Sequence, residues 1–258
     1  MSKLLELKKL SVHYQNNKDI VKAVTNVDMV INEGEVVGLL GESGCGKSTL
    51  ALSILRLIDP PGKIYGEILW GGNNLLNIPE QNMQRIRGAE ISMIFQDPFS
   101  TLNPVFKVGE QIAEVFRVHK GSSRREAWKK AVEIMDKVHI KDPADRAKDY
   151  PHQFSGGMKQ RVAVAMSYSL SPRLLIADEP TTALDVTMQK AILEVLKELK
   201  TTMLFISHNI AIISSVCDRV YVMQAGRIIE EGTPAEISND PKNPYTAKLV
   251  NSYKEISI

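Results

Sequence analysis

Cysteine is almost missing: Cys45 and Cys217 are the only two in 258 residues. Such scarcity excludes a disulfide framework and suits a reducing compartment. Excess charge is missing too, since 32 lysines and arginines face 30 aspartates and glutamates. A net charge of +2 gives no general basis for binding nucleic acid or an acidic membrane face, so partners must be argued from local sites. No apolar run approaches the ~20 residues that span a bilayer, and the start Met1-Ser2-Lys3-Leu4-Leu5-Glu6 lacks an apolar signal core. The expectation is a chain that is soluble or held at a membrane by something else. Repeats and low-complexity tracts are absent, and the length suits one large α/β domain or a core with a subdomain.

What is present is a phosphate-binding pattern. Gly41-Glu42-Ser43-Gly44-Cys45-Gly46-Lys47-Ser48-Thr49 matches G-x-x-x-x-G-K-[ST] and follows the apolar stretch Val36-Val37-Gly38-Leu39-Leu40. A strand that breaks into glycines and then opens a helix points several backbone N–H groups at one spot, where the helix dipole also favours negative charge. Glycine lets phosphates approach the backbone, Lys47 supplies a point charge to β/γ oxygens, and the Ser48 hydroxyl is a Mg2+ ligand. Cys45 stands at a wildcard position of the pattern, where no thiol chemistry is required.

The segment from Leu4 to Ile31 alternates apolar and polar residues as half-buried antiparallel strands do. Ser48 to Leu57 reads as a helix stopping before Asp59-Pro60-Pro61-Gly62, and Gly66 to Trp70 as a strand ending at Gly71-Gly72. From about Phe99 to Ser169 the character is helical. Ser122 or Ser123 caps a segment with Ala127, Trp128, Ala131, Val132, Met135 and Val138 on one face, a packing face. Leu174 to Ala177 and Met203 to Ile206 are wholly apolar, as covered parallel strands are. Between them Val186 to Lys200 is an amphipathic helix with Met188, Ile192, Val195, Leu196 and Leu199 inward, a strand-helix-strand unit implying a right-handed crossover. A hairpin turning at Ala225-Gly226 follows.

Ligands in open parallel sheets sit beyond the carboxyl ends of the strands. There stand Asp178, expected to hold Mg2+, and Glu179, expected to point the other way along an extended chain and deprotonate a water. At the next strand end His208 is placed to tether a γ-phosphate. Ser155-Gly156-Gly157 opens another helix; it reads equally as a second anion site or as an ordinary capped helix start. Gln96, in Phe95-Gln96-Asp97-Pro98, lies where strand yields to helix and could couple the two regions.

Together these residues resemble the nucleotide-binding subunits of ABC transporters over nearly the whole chain. The phosphate loop, Gln96, Ser155-Gly156-Gly157-Met158-Lys159-Gln160, Asp178-Glu179, Ala183-Leu184-Asp185 and His208 occur in the family's order. The departure lies at Phe154 and Met158, where the family's commonest wording is Leu-Ser-Gly-Gly-Gln. The variant here, with Ile94-Phe95-Gln96-Asp97-Pro98, Leu102-Asn103-Pro104, Tyr150-Pro151-His152-Gln153 and Asn243-Pro244-Tyr245-Thr246, is similar to the dipeptide, oligopeptide and nickel import branch.

The resemblance implies an α/β fold: a P-loop ATPase core with a mostly parallel sheet (1–96 and 166–235), an N-terminal antiparallel β subdomain, an inserted helical subdomain (97–165) and a short C-terminal extension (236–258). It implies ATP and Mg2+ as cofactors, adenine stacked on Tyr14, Mg2+ held by Ser48, Asp178 and Gln96, and catalysis by Glu179 with His208, Lys47 and Gln96. Ser155, Gly156, Gly157 and Asp185 would close on ATP held by a second ATPase subunit, the same chain or a related one. Two membrane-spanning permease subunits and, indirectly, an extracytoplasmic solute-binding protein are the further partners, with this chain peripheral on the cytoplasmic face. Coupling would run through Gln96 and Phe99 to Pro104. The solute is expected to be a di- or oligopeptide, with nickel or another small solute as alternative. A non-transport ATPase of the superfamily would carry coiled coils, zinc-binding cysteine pairs or a second nucleotide domain; a P-loop kinase or GTPase would leave Ser155-Gly156-Gly157 unexplained; a non-hydrolysing module would not need Asp178, Glu179 and His208. The residues near Ile258 lack the cysteines of longer relatives, so no iron–sulfur cluster is expected.

Overall fold

The computed structural model describes residues 2–15, 19–97, 101–182 and 184–256, side chains 253–256 excepted. In chain order the elements are β1 (Lys3–Gln15), β2 (Ile20–Asn32), β3 (Val36–Leu40), α1 (Lys47–Ile54), β4 (Gly62–Trp70), β5 (Asn73–Asn74), α2 (Glu80–Ile86), β6 (Ile91–Ile94), α3 (Val108–Lys120), α4 (Arg124–Lys137) and α5 (Pro143–Arg146). Then come α6 (Gly156–Tyr168), β7 (Leu174–Asp178), α7 (Val186–Glu198), β8 (Thr202–Ser207), α8 (Ile210–Val216), β9 (Arg219–Gln224), β10 (Arg227–Gly232), α9 (Pro234–Asn239) and α10 (Pro244–Ile256). They gather into two compact units, Met1–Gln84 with Thr202–Ile258, and Arg85–Thr201. None of the described helices is long and apolar enough to cross a membrane.

The first unit holds two sheets. One is antiparallel, in the order β2-β1-β4-β5. In the other, β3 pairs in parallel with β8 on one side and β9 on the other, and β10 returns antiparallel along β9. Leu5, Leu7, Leu10, Val12, Val24, Met29 and Ile31 are buried on the first sheet, Val37, Leu39, Leu40, Leu204 and Phe205 on the second. Arg219 ties the two together: Nη2 donates to the Val30 carbonyl at 2.7 Å, and Nε and Nη2 donate to the Glu35 carboxylate at 2.7 and 3.0 Å. The expected alternation in β1 is broken at Lys8 and Lys9, where the register shifts and Lys9 turns left-handed at φ 46°. The helix expected to reach Leu57 ends at Ile54, because Arg56 adopts φ 54° and a Schellman pair closes it, Leu57 N–H to Leu52 O and Arg56 N–H to Ser53 O. The strand expected from Gly66 begins earlier, at Gly62.

The second unit carries the helical stretch and the parallel pair β6–β7, in register from Ile91 with Leu174 to Ile94 with Ala177. Ser123, rather than Ser122, caps α4 in a reciprocal box with Glu126. Ala127, Ala131, Met135 and Val138 of the expected face are fully buried, while Trp128 and Val132 are half-buried. Ile192, Val195 and Leu196 of α7 and its C-cap Leu199 are buried as the periodicity requires, while Met188, also expected inward, is half-buried.

Candidate functional site

In the first unit the phosphate loop runs from the end of β3 into α1. Gly44 and Gly46 take φ of 79° and 111°, and the helix begins directly after Gly46. Left-handed residues at such a strand-to-helix turn aim successive N–H groups at one spot, as in an anion nest. A Cβ at Gly41 would collide with the Met223 carbonyl, and one at Gly46 with the Ala23 carbonyl. Glycine is therefore dictated by the neighbouring strands as well as by the ligand. The hairpin turn between β9 and β10 supports the loop through Gly226 N–H to the Cys45 carbonyl at 2.8 Å.

Lys47, only 5% exposed, folds back so that Nζ donates to the Gly41 and Glu42 carbonyls at 2.8 and 2.9 Å. That holds its ammonium over the loop. Glu42, Ser43 and Gly44 are exposed, while Ser48 and Thr49 are half-buried in the first turn of α1. Burial raises the Cys45 thiol pKa against the pull of Lys47, so this sulfur is a poor nucleophile. Tyr14, half-buried, pairs with Val21 of β2, two residues from the Ala23 carbonyl that faces Gly46. His208 is brought to the same end of the sheet: Leu40 pairs with Ser207, so His208 stands level with Gly41.

In the second unit the parallel register puts Gln96 level with Glu179, and Gln96 Nε2 donates to Glu179 Oε2 at 3.5 Å. Asp178, 3% exposed, is the last residue of β7. Glu179 is not in extended backbone as expected. It turns left-handed at φ 46°, and the turn is closed by Thr182 N–H to the Glu179 carbonyl at 3.1 Å. The Thr182 hydroxyl donates to Glu179 Oε2 at 2.9 Å. Carboxylate direction thus comes from a strained turn, with Thr182 a fixing residue that reading the sequence did not single out. Its spacing of three from Glu179 was the available signal.

Ser155 caps α6, its Oγ accepting Met158 N–H at 3.4 Å, and Asp185 caps α7, Oδ1 accepting Met188 N–H at 3.0 Å. The two helix starts meet, since a Cβ at Gly157 would run into Met188 Cε. The ordinary capping role of Ser155 is therefore real, and it leaves the hydroxyl proton available to a ligand. Ala183 and Phe99 lie outside the described residues.

The cradle and its lysine fit a polyphosphate. Among the described residues no three His, Cys, Asp or Glu side chains gather to hold a metal by themselves. The Ser48 hydroxyl in the first unit, and the Asp178 carboxylate and Gln96 amide in the second, carry hard oxygen donors of the kind Mg2+ takes alongside substrate phosphates and water.

The ABC transporter family model matches residues 24–182. The chain is 47% identical over 258 residues to the oligopeptide transport ATP-binding protein OppD of Bacillus subtilis, spanning 98% of this chain and 72% of that one. It is 46% identical over 255 residues to the probable peptide ABC transporter ATP-binding protein y4tR of Sinorhizobium fredii, spanning 96% and 76%. Its fold is similar to the dimeric post-hydrolysis state of the ATP-binding cassette MJ0796 bound to ADP and Pi, with a TM-score of 0.79, 28% identity, and 89% and 98% of the two chains covered. The antiparallel β sheet, the mostly parallel sheet and the helical stretch are those of an ABC cassette, as the sequence implied. With a family match over more than half its length and peptide-transport relatives over nearly all of it, the chain belongs to the ABC transporter family, among the ATP-binding proteins of its oligopeptide and dipeptide import branch.

Proposed function

We propose that this chain is the ATP-binding and ATP-hydrolysing subunit of an importer of di- and oligopeptides, seated at the cytoplasmic face of the cell membrane on partner membrane-spanning subunits. The observation that carries the reading is the phosphate loop, with left-handed glycines at 44 and 46 and the Lys47 ammonium held over it. The 47% identity to OppD, over 98% of this chain and 72% of that one, supports the peptide solute.

In this reading the amides from Gly44 to Lys47 and the Lys47 ammonium take the β- and γ-phosphates, and Tyr14 stacks on adenine. Ser48, Asp178 and Gln96 hold Mg2+, which supplies neutralising charge to the β- and γ-oxygens when bound. Glu179 accepts the proton of the attacking water, and His208 tethers the γ-phosphate. Ser155, Gly156, Gly157 and Asp185 contact ATP held by a second ATPase subunit, another copy or a related chain. Head-to-tail pairing of that kind makes two composite sites, identical where the partner is a second copy of this chain. Residues 97–165 receive the cytoplasmic loops of a membrane-spanning subunit, two of which belong to the importer, and a solute-binding protein delivers the peptide on the far side.

The test is uptake of a labelled dipeptide or tetrapeptide into vesicles carrying the whole assembly, with phosphate release measured alongside. Wild type is expected to couple the two, and Lys47→Ala to abolish both. Uptake of Ni2+ with no peptide uptake would overturn the solute, and absence of phosphate release would overturn the reading as a whole.

A further inference from the structure

The wording Asn243-Pro244-Tyr245-Thr246 is unused by the nucleotide reading, yet the fold brings it to the phosphate loop. Glu230, in β10, accepts the Lys242 and Asn243 amides at 2.7 and 3.2 Å. Asn243 Oδ1 then accepts Tyr245 N–H at 2.9 Å and caps α10. Thr246, Leu249 and Val250 are buried, which fixes the face that the first turns of this helix present. The phenol of Tyr245 is thereby placed so that its hydroxyl accepts the Glu42 N–H at 3.3 Å. Burial first, and then the nearby Glu42 and Cys45 groups, raise the pKa of this hydroxyl although the Glu42 amide pulls the other way; it stays neutral around pH 7.

Beside the Lys47 ammonium on the Gly41 and Glu42 carbonyls, two braces from outside the loop act on one short stretch. Gly226 N–H holds the Cys45 carbonyl at 2.8 Å from the β9–β10 turn, and Tyr245 holds the Glu42 amide from α10. Between these points lie Ser43 and Gly44, and Gly44 carries the left-handed φ of 79° that opens the nest. A Cβ at Gly44 would meet nothing within 4 Å, so side-chain packing does not hold this part of the loop in shape. Its conformation is set by the braces at its two ends and by the Cys45 N–H to Glu42 carbonyl bond at 3.3 Å that closes it.

We propose that Tyr245 is a positioning residue for the polyphosphate of the bound nucleotide: by holding the Glu42 amide it keeps the start of the loop in the phosphate-receiving conformation. The inference rests on the nucleotide reading of the preceding subsection. Tyr245 acts through the loop backbone and touches no reacting atom. Its loss removes one hydrogen bond, so the expected effect on affinity is about three- to tenfold.

The experiment compares the full chain with Tyr245→Phe and Tyr245→Ala. Calorimetric affinities for Mg-ATP and Mg-ADP, amide hydrogen exchange at Glu42, the melting temperature without nucleotide, and the ATPase KM and kcat of the whole assembly are measured. Tyr245→Phe is expected to melt within about 2 °C of wild type, because the ring still packs and one exposed-side hydrogen bond is a small share of total stability. It is expected to exchange faster at Glu42, to bind both nucleotides about three- to tenfold more weakly, nearly as weakly as Tyr245→Ala, and to raise KM while kcat stays within about twofold. A Phe variant that binds like wild type while only Ala is deficient overturns the proposal, since the ring alone would then matter. A Phe variant that melts far lower also overturns it, because the hydroxyl would be supporting the fold and not the loop. Wild type that binds no Mg-ATP overturns the nucleotide reading itself, an outcome distinct from both.

Discussion

Glu179 shows how one side chain's direction is set by backbone that the sequence only partly betrays. The apolar run Leu174 to Ala177 followed by two carboxylates marked the pair, but the left-handed φ of 46° and the Thr182 hydroxyl bond come from the turn after the strand. Both residues place the carboxylate, and only the first was legible. If Glu179 accepts a proton in the rate-limiting step, Glu179→Gln should bind Mg-ATP as wild type does and hydrolyse it about 10²–10⁴-fold more slowly. Equilibrium binding and single-turnover phosphate release check this. A variant keeping most of its turnover would remove Glu179 from that role. The phosphate loop was fully legible for the opposite reason, because its glycines are required at fixed spacing by geometry that no other residue meets.

Elements were legible where a local signal marks them. A serine cap at 122 or 123 and the hairpin turn at Ala225-Gly226 are such signals: Ser123 takes the cap, in a box with Glu126, and the hairpin forms as read. The tail was read only as a short extension, although Thr233-Pro234-Ala235-Glu236 carries the capping box that starts α9. What could not be read locally is Arg219, whose partners Glu35 and Val30 lie 184 and 189 positions away. It joins the two sheets of the first unit. Burial raises the Glu35 pKa, but the Arg219 bonds and the Asn32 amide outweigh it and the net shift is downward. A carboxylate whose folded pKa lies below its unfolded value stabilises above the unfolded pKa of about 4.3, and that share is lost as pH falls through the folded value. Glu35→Gln should therefore melt lower than wild type at pH 7, with the gap narrowing as pH falls from 5 to 3. Melting curves across that range test it, and a gap that stays constant would contradict the ion-pair account. Arg219→Ala should cost more, about 3 kcal/mol by urea unfolding, because it leaves a buried carboxylate with no cation and only the Asn32 donors.

The molecule as a whole is proposed to give the phosphate loop and the start of α6 to different ATP molecules in a pair of subunits. Strand order in the sheets was not legible, since β3 pairs with β8 and β9 far along the chain; the pairing of subunits was implied by the resemblance and not by any strand pattern. Gly156→Asp places a carboxylate where a partner's γ-phosphate would lie, so it should abolish turnover in the assembly while Mg-ATP affinity stays within about threefold of wild type. Loss of binding as severe as in Lys47→Ala would contradict the division of roles. The most direct measurement is the structure of the Glu179→Gln protein in its assembly, trapped with Mg-ATP. The account predicts each triphosphate lying on the loop of one ATPase subunit, with Ser155, Gly156 and Gly157 of the other in hydrogen-bond reach of its γ-phosphate. Triphosphates bound with that helix start far from every one of them would contradict it.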